Sequence, residues 1–484
     1  MALHAAESRS VMSEAYWKIW NFEVQQRIDR DIEQHRKADA VLHLEGVREG
    51  TDVKIEQVSH DFIFGAHIFN FDQLGKDEYN RKYKELYGTL FNSATIAFYW
   101  KKFELEPGKP RFKAEYRDTA EYWNKCKEPK KEIHWRRPAS DPVVAFCESK
   151  GIRLHGHPIA WGNRKWHHPD WLFEKYCPAN EKEKLLKHGR QGLQKLPPDQ
   201  IQELTPVYAR EMQRRFEKRI TELAEHYKGR IHSWDVVNES AIDFGLGCMI
   251  PGKAVCSSHY GLMPGDYTYE TFKMADKLFP KDVLLNINDY ANDERYLKQV
   301  KDLLDRGCRI DILGSQMHLF NPQQCLDIAA GMPIESPGKV WKKMEILGKA
   351  GLPIHLSEIT ITSPGGDERG RQIQAVIARN LYRLWFSIKP MMGITWWNVV
   401  DDCGAPGEPT ISGLFTRNML PKPVYHTLDK LINHDWKTRL SVKVGKDGTA
   451  RFRGFRGAYS VTYRDVTGKR KTVAFHLSND GDGI

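Results

Sequence analysis

The sequence contains no run of the roughly eighteen apolar residues a helix needs to cross a bilayer, which excludes a helical membrane-spanning protein. Its opening, from Met1 to Tyr16, lacks a basic stretch followed by an apolar core, so no secretory signal is expected there. The eight cysteines (Cys126, Cys147, Cys177, Cys248, Cys256, Cys308, Cys325 and Cys403) show no CxxC spacing, which argues against a zinc site or a disulfide framework. No glycine-rich phosphate loop follows the first apolar run, which weakens a dinucleotide-binding reading, and no internal repeat or low-complexity tract is present.

What is present describes a globular chain of 484 residues, 40% hydrophobic and 11% aromatic with 14 tryptophans, more aromatic than a core alone requires. The net charge is +10, which by itself would suit a nucleic-acid partner. Its distribution argues otherwise. From Trp436 onward eleven Lys or Arg face four Asp, a local +7 that leaves only +3 for everything before it. Nucleic acid is therefore not an expected partner; the excess marks a basic accessory face that could meet an acidic polysaccharide or a cell surface.

Four segments are expected. Residues 1–37 form an N-terminal helical segment, with Val24, Ile28 and Ile32 on one stripe of a single helix from Ser13 to Lys37. Residues 38–60 alternate around a glycine-bearing turn as a β-hairpin, and 436–484 alternate likewise across Asp447-Gly448 and Thr467-Gly468, so both chain ends contribute to one small β accessory module. Phe452, Phe455, Tyr459 and Tyr463 in that module would serve either as a sugar-stacking surface or as a cap on the rest of the chain. Residues 61–435 alternate short apolar runs with amphipathic helical patterns. Eight such runs are legible: Phe62–Phe69, Ala94–Trp100, Ile152–Trp161, Ile231–Asn238, Val283–Asp289, Ile310–Met317, Ile354–Glu358 and Gly393–Val399. The α/β class is thus a (β/α)8 TIM barrel rather than an open doubly wound sheet.

In such a barrel the reacting groups stand at the C-terminal ends of the strands. The fourth run ends in Asn238-Glu239 and the seventh in Ser357-Glu358, and a strand buried on both faces carries a carboxylate at its end only where something needs it. Paired carboxylates across a barrel mouth suit glycoside hydrolysis, one protonating the leaving oxygen and the other attacking the anomeric carbon or activating water. Two salt-bridged structural carboxylates are the plainer alternative. His155-Gly156-His157 raises a metal-dependent hydrolase, yet only His318 accompanies it as a companion ligand, and no metal or other cofactor is expected.

The strings HGHPIAW, WDVVNE, NDY, GSQMHL, HLSEIT and GLFTRNMLPKPVY occur in that order between Phe62 and Tyr425. Together they resemble family 10 of the glycoside hydrolases, the retaining endo-β-1,4-xylanase family. The resemblance implies Glu239 as general acid/base and Glu358 as nucleophile. It implies that Asn238 binds the sugar 2-hydroxyl, that His318 holds the nucleophile, and that His157 and Trp161 line the sugar site beside the scissile bond. Trp397 would be the aromatic platform on the eighth strand, Tyr290 and Lys101 further sugar contacts, and Asp235 and Gln316 supports. It also implies a polysaccharide or oligosaccharide substrate, a monomer, and a secreted, periplasmic or cell-surface location. A non-catalytic sugar-binding protein is the rival from another class, though both carboxylates are in place.

Three departures from the family pattern bear on substrate. The Glu-Asn of the second strand, which binds xylose one sugar beyond the cleavage point, is replaced by Ala97-Phe98. The second tryptophan after the strand-eight platform is missing from the loop Asp401 to Gly407, and Gly162 stands where a second histidine follows the strand-three tryptophan. Losing polar partners for sugar hydroxyls alters discrimination more than reaction type, so a decorated or different β-glycoside is the alternative substrate. The insertion at 108–138, with Arg136 and Arg137, is expected to be a solvated loop, or else to contact an acidic sugar.

Overall fold

The computed structural model describes residues 10–259 and 261–478, so the outermost parts of both terminal segments lie outside the described residues. Strands β1 (Lys37–His43) and β2 (Asp52–His60) precede the barrel strands β3 (Ile63–His67), β4 (Ser93–Ala97) and β5 (Arg153–His157). A two-residue strand β6 (Ala160–Trp161) extends the rim before β7 (Ser233–Asn238), and the hairpin β8 (Val255–Ser258) and β9 (Gly261–Pro264) stands on the loop beyond it. Next come β10 (Leu284–Asp289), β11 (Ile312–Leu319), β12 (Ile354–Ile361) and β13 (Met391–Trp396), then the terminal strands β14 (Arg439–Lys443), β15 (Thr449–Phe455), β16 (Gly457–Arg464) and β17 (Arg470–Leu477).

The parallel order β3-β4-β5-β7-β10-β11-β12-β13 closes through the β13–β3 pairing into an eight-stranded barrel, one strand from each of the eight apolar runs. Every residue of β3, β4, β7 and β12 is buried, as expected for parallel strands covered by helices outside and packed side chains within. The surrounding helices carry one apolar stripe each. In Pro206–Tyr227 the buried Met212, Phe216, Ile220, Leu223 and Tyr227 recur at helical spacing; Pro206 opens the helix, and Lys228 in a left-handed conformation ends it.

The N-terminal segment is two helices, Glu14–Ile19 and Phe22–Arg36, rather than the single helix expected. The break falls at Asn21, whose side chain accepts from the backbone N–H of Val24 at 3.0 Å and starts a new helix. The Arg36 guanidinium donates to the carbonyls of Phe386 and Ile388, tying this segment to the barrel.

Strands from both chain ends pair with one another, but the expected hairpin at 38–60 does not form. β1 pairs with β15, whereas β2 pairs with β14 and β16 in a second sheet completed by β17. The reason is burial: Ala40 and Leu42 of β1 and Val53 and Ile55 of β2 enter one small core with Phe452, Tyr459, Val461 and Phe475, so β1 and β2 face each other across it instead of lying side by side. The candidate sugar-stacking aromatics Phe452, Phe455, Tyr459 and Tyr463 are all buried and offer no open face, because strand alternation turns them inward. Trp436 stacks on Phe386 at 4.1 Å and joins this module to the barrel. Part of its positive charge is answered near the N-terminus, through Arg453 with Glu33 of the second helix at 2.9 Å and with Asp39 of β1 at 3.1 Å.

Candidate active site

At the C-terminal ends of the strands a cleft of about 620 Å³ is lined by His157, Trp161, Asn238, Glu239, Tyr290, Gln316, His318, Glu358 and Trp397 among others. A larger groove of about 1110 Å³, lined by Arg36, His60, Trp341 and Pro390, opens where the strands begin, away from the facing carboxylates. Barrel chemistry belongs at the other face, so volume does not select the site here.

Both glutamates are aimed by irregularities in their strands. On β7 the register against β10 slips by one residue at Val236, and on β12 the register against β11 slips at Ser357, one residue before Glu358. Such bulges re-aim side chains next to reacting centres. Glu239 itself has φ 55°, a left-handed backbone that a glutamate adopts only when its surroundings impose it, and its N–H donates to the Asn288 carbonyl at 2.8 Å.

The Gln316 side-chain amide lies 3.2 Å from Glu239 Oε1 and 3.2 Å from Glu358 Oε1. Those two contacts cap the separation of the carboxylate oxygens at twice 3.2 Å. Glu358 Oε1 also accepts from Asn288 Nδ2 at 2.9 Å, and its Oε2 lies 3.4 Å from His318 Nε2. His318 is oriented through its other nitrogen, 2.9 Å from Thr360 Oγ1. Asn238 accepts from Asn288 at 2.9 Å and from Gln316 at 3.3 Å.

The electrostatics separate the two carboxyls. Burial, then the charge of Glu358, then that of Asp289 raise the Glu239 pKa to about 8, so Glu239 holds its proton at neutral pH. Glu358 instead has two amide donors and a histidine around its oxygens. Beneath them Asp235 accepts from His157 Nδ1 at 2.7 Å and lies 3.0 Å from His155 Nε2, which leaves His157 Nε2 facing Glu358 at 3.7 Å. Although burial opposes its charge, these two histidines hold the Asp235 carboxyl below the usual range. The HxH pair is thus committed to a carboxylate.

Of the residues singled out from sequence, Lys101 is not brought to the cleft. It sits on the short helix Trp100–Phe103, with Nζ 2.6 Å from Asp170. Asn288, given no role of its own from sequence, contacts the nucleophile candidate directly; its place at the end of a buried strand was the available signal. Gly162 is accounted for by the β8–β9 hairpin: a Cβ at this position would come within 2.2 Å of Ser258 Oγ, so no histidine fits.

The 108–138 insertion is exposed over much of its length, Lys127, Lys130 and Lys131 included, as expected of a solvated loop, but its Arg136 end is not. Arg136 is buried with φ 58°, donates to Asn398 Oδ1 at 3.0 Å, and lies 3.6 Å from Glu408. Arg137 lies over the Tyr99 ring at 3.8 Å.

A family model described as glycosyl hydrolase family 10 matches residues 58–431. The chain is 29% identical to a putative endo-1,4-beta-xylanase of Caldicellulosiruptor saccharolyticus over 48% of its own length and 64% of the relative's. It is 25% identical to endo-1,4-beta-xylanase B of Thermotoga neapolitana over 61% of its length and 74% of the relative's. Against an endo-1,4-beta-xylanase/feruloyl esterase of Xylanibacter ruminicola it spans only 38% of that protein, so the chain covers from about a third to three quarters of these curated relatives. Among solved structures, native xylanase 10B from Thermotoga maritima superposes with a TM-score of 0.52 at 19% identity, over 78% of this chain and 96% of that one. Xylanase 10B from Thermotoga petrophila in complex with xylobiose gives 0.51 at 19% identity over 78% and 95%, which establishes the shared barrel. With the match running from the end of β2 through the whole barrel, the chain belongs to glycosyl hydrolase family 10.

Proposed function

We propose that this protein is a retaining glycoside hydrolase that cleaves β-1,4-xylosidic bonds of xylan or a xylan-like β-glycan, with Glu358 as nucleophile and Glu239 as acid/base. The observation that carries this reading is the bridging of the two carboxylates by Gln316, whose 3.2 Å contacts hold Glu239 Oε1 and Glu358 Oε1 within twice 3.2 Å of each other, toward the close-set pair of a retaining enzyme (~5–5.5 Å) rather than the wide end of the ~6.5–9.5 Å range of a water-activating one. Glu358 attacks the anomeric carbon as Glu239 gives its proton to the departing oxygen. Esterified Glu358 carries no charge, so one of the chief causes of the raised Glu239 pKa disappears; Glu239 then takes a proton from the water that hydrolyses the intermediate. Asn238, held by Asn288 and Gln316, is positioned for the sugar 2-hydroxyl. The names of the relatives support xylan as substrate. Glu358→Ala is expected to abolish release of reducing ends from xylan while leaving the circular dichroism spectrum intact; unchanged hydrolysis overturns the assignment.

The replacement of the strand-two polar pair by Ala97-Phe98 favours a second reading, the same chemistry on a decorated or different β-glycoside. Phe98 turns away into the barrel wall against Trp234 at 4.7 Å, leaving no hydroxyl-pairing group there. Faster release of reducing ends from glucuronic-acid-decorated than from plain xylan would favour it. A polymeric substrate places the protein outside the cytoplasm, in a secreted, periplasmic or surface location, which fractionation of the source cells would test.

A further inference from the structure

The cleft is open at one end and filled at the other. Glu239 protonates the leaving oxygen, so the leaving portion of the substrate runs past β7 toward the loops after β10 and β11. There Tyr290 is 43% exposed, and Phe320, one face stacked on His318, is 37% exposed. The portion on the other side of the reacting bond points past β12 and β13 toward the ends of β3 and β4. There Phe69 is 0% exposed, Trp397 4% and Tyr99 7%, packed edge to face around the small Ala97 side chain. Above them lies the insertion: Arg137 covers Tyr99 and lies 5.3 Å from the centre of the Phe69 ring. Arg136 is locked by Asn398, Glu408 and the stacked His67–Phe69 pair. Ala97 therefore does not leave a vacant sugar site; aromatic side chains occupy the volume, and the ion pair of buried Arg136 with half-buried Glu408, joined through the Asn398 amide, holds the cover in place.

Resting on the retaining-hydrolase reading above, we infer that the cleft accepts a single sugar on the non-reducing side of the reacting bond and that the enzyme removes one residue at a time from chain ends. In each turnover the bond from the terminal anomeric carbon to the bridging oxygen breaks as that carbon bonds to Glu358, and the bridging oxygen takes the Glu239 proton. Water then replaces Glu358, returning a proton to Glu239 and releasing one monosaccharide. A chain continuing past the terminal residue would have to enter the space of Tyr99, Phe69 and Arg137.

The test is the first products from xylohexaose, together with 4-nitrophenol release from the β-xyloside and the β-xylobioside. Xylose with xylopentaose at early times, and initial nitrophenol release at least about tenfold slower from the xylobioside than from the xyloside, are expected. Xylobiose or xylotriose among the first products, or rapid nitrophenol release from the xylobioside, overturns the inference while leaving the retaining reading intact. No turnover of any of these substrates overturns both. An Arg137→Ala variant that retains the wild-type melting temperature is expected to begin releasing disaccharide, and an unchanged product pattern counts against the cover.

Discussion

The two ends of the cleft are built from similar residue types and do opposite things. At the end beyond β10 and β11, Tyr290 and Phe320 stand on loops with much of their rings exposed; at the end above β3, β4 and β13, Phe69, Tyr99 and Trp397 pack against one another beneath two arginines. The difference lies in what covers them. The 108–138 insertion descends over one end only, and its Arg136 finds Glu408 and Asn398 waiting on the loop after β13. An aromatic at a barrel mouth is thus a platform or a plug according to its neighbours, and residue type alone does not distinguish the two.

Between the ends sit Glu239 and Glu358, the proposed reacting pair, and variants there should have the largest effects. Glu358→Gln should lower kcat by more than about 10⁴-fold, beyond the loss of a single acid–base group. Glu239→Gln should cost about 10²–10⁴-fold on sugar leaving groups and far less on nitrophenyl leaving groups, which need no proton. The reaction needs Glu239 protonated, so kcat/KM should fall as pH rises through about 8. The same raised pKa makes the folded state bind the proton more tightly than the unfolded state, so this group makes stability decline as pH climbs from its ordinary value toward about 8. Glu239→Gln should accordingly melt above wild type at pH 9 and alongside it at pH 4.

At the filled end, Arg136→Ala leaves Glu408, still held by Asn398 and the Ala405 N–H, without its countercharge and should destabilise the fold by about 1–3 kcal/mol in chemical denaturation. A neutral result would mean that the cover is loosely held. At the open end, Tyr290→Ala should raise KM for oligosaccharides by about 2–12-fold with little change in kcat, the value of one aromatic contact. The smallest effect is expected at Lys101, whose partner is Asp170 rather than the cleft: Lys101→Ala should cost less than about 1 kcal/mol and leave KM unchanged.

The barrel was legible because eight apolar runs at regular intervals each became one strand, and the carboxylates were legible because charge at the end of a doubly buried strand needs a reason. Less was visible wherever a residue acquires its role from a distant partner. Asn288 reads only as a strand-end residue of the NDY string until Glu358 is seen 2.9 Å from its amide. Arg136 reads as surface charge until Glu408, far along the chain, is folded beside it. The β1–β2 hairpin failed for a related reason: local alternation fixes which residues face inward, while the choice of pairing partner depends on strands at the other end of the chain.

The most direct test of the two-carboxylate account is the anomeric configuration of the first-formed sugar, followed by proton NMR from the moment of mixing with xylooligosaccharide. Double displacement through Glu358 predicts the β-anomer first, with the α-anomer growing in only by mutarotation; an α-anomer appearing first would contradict it.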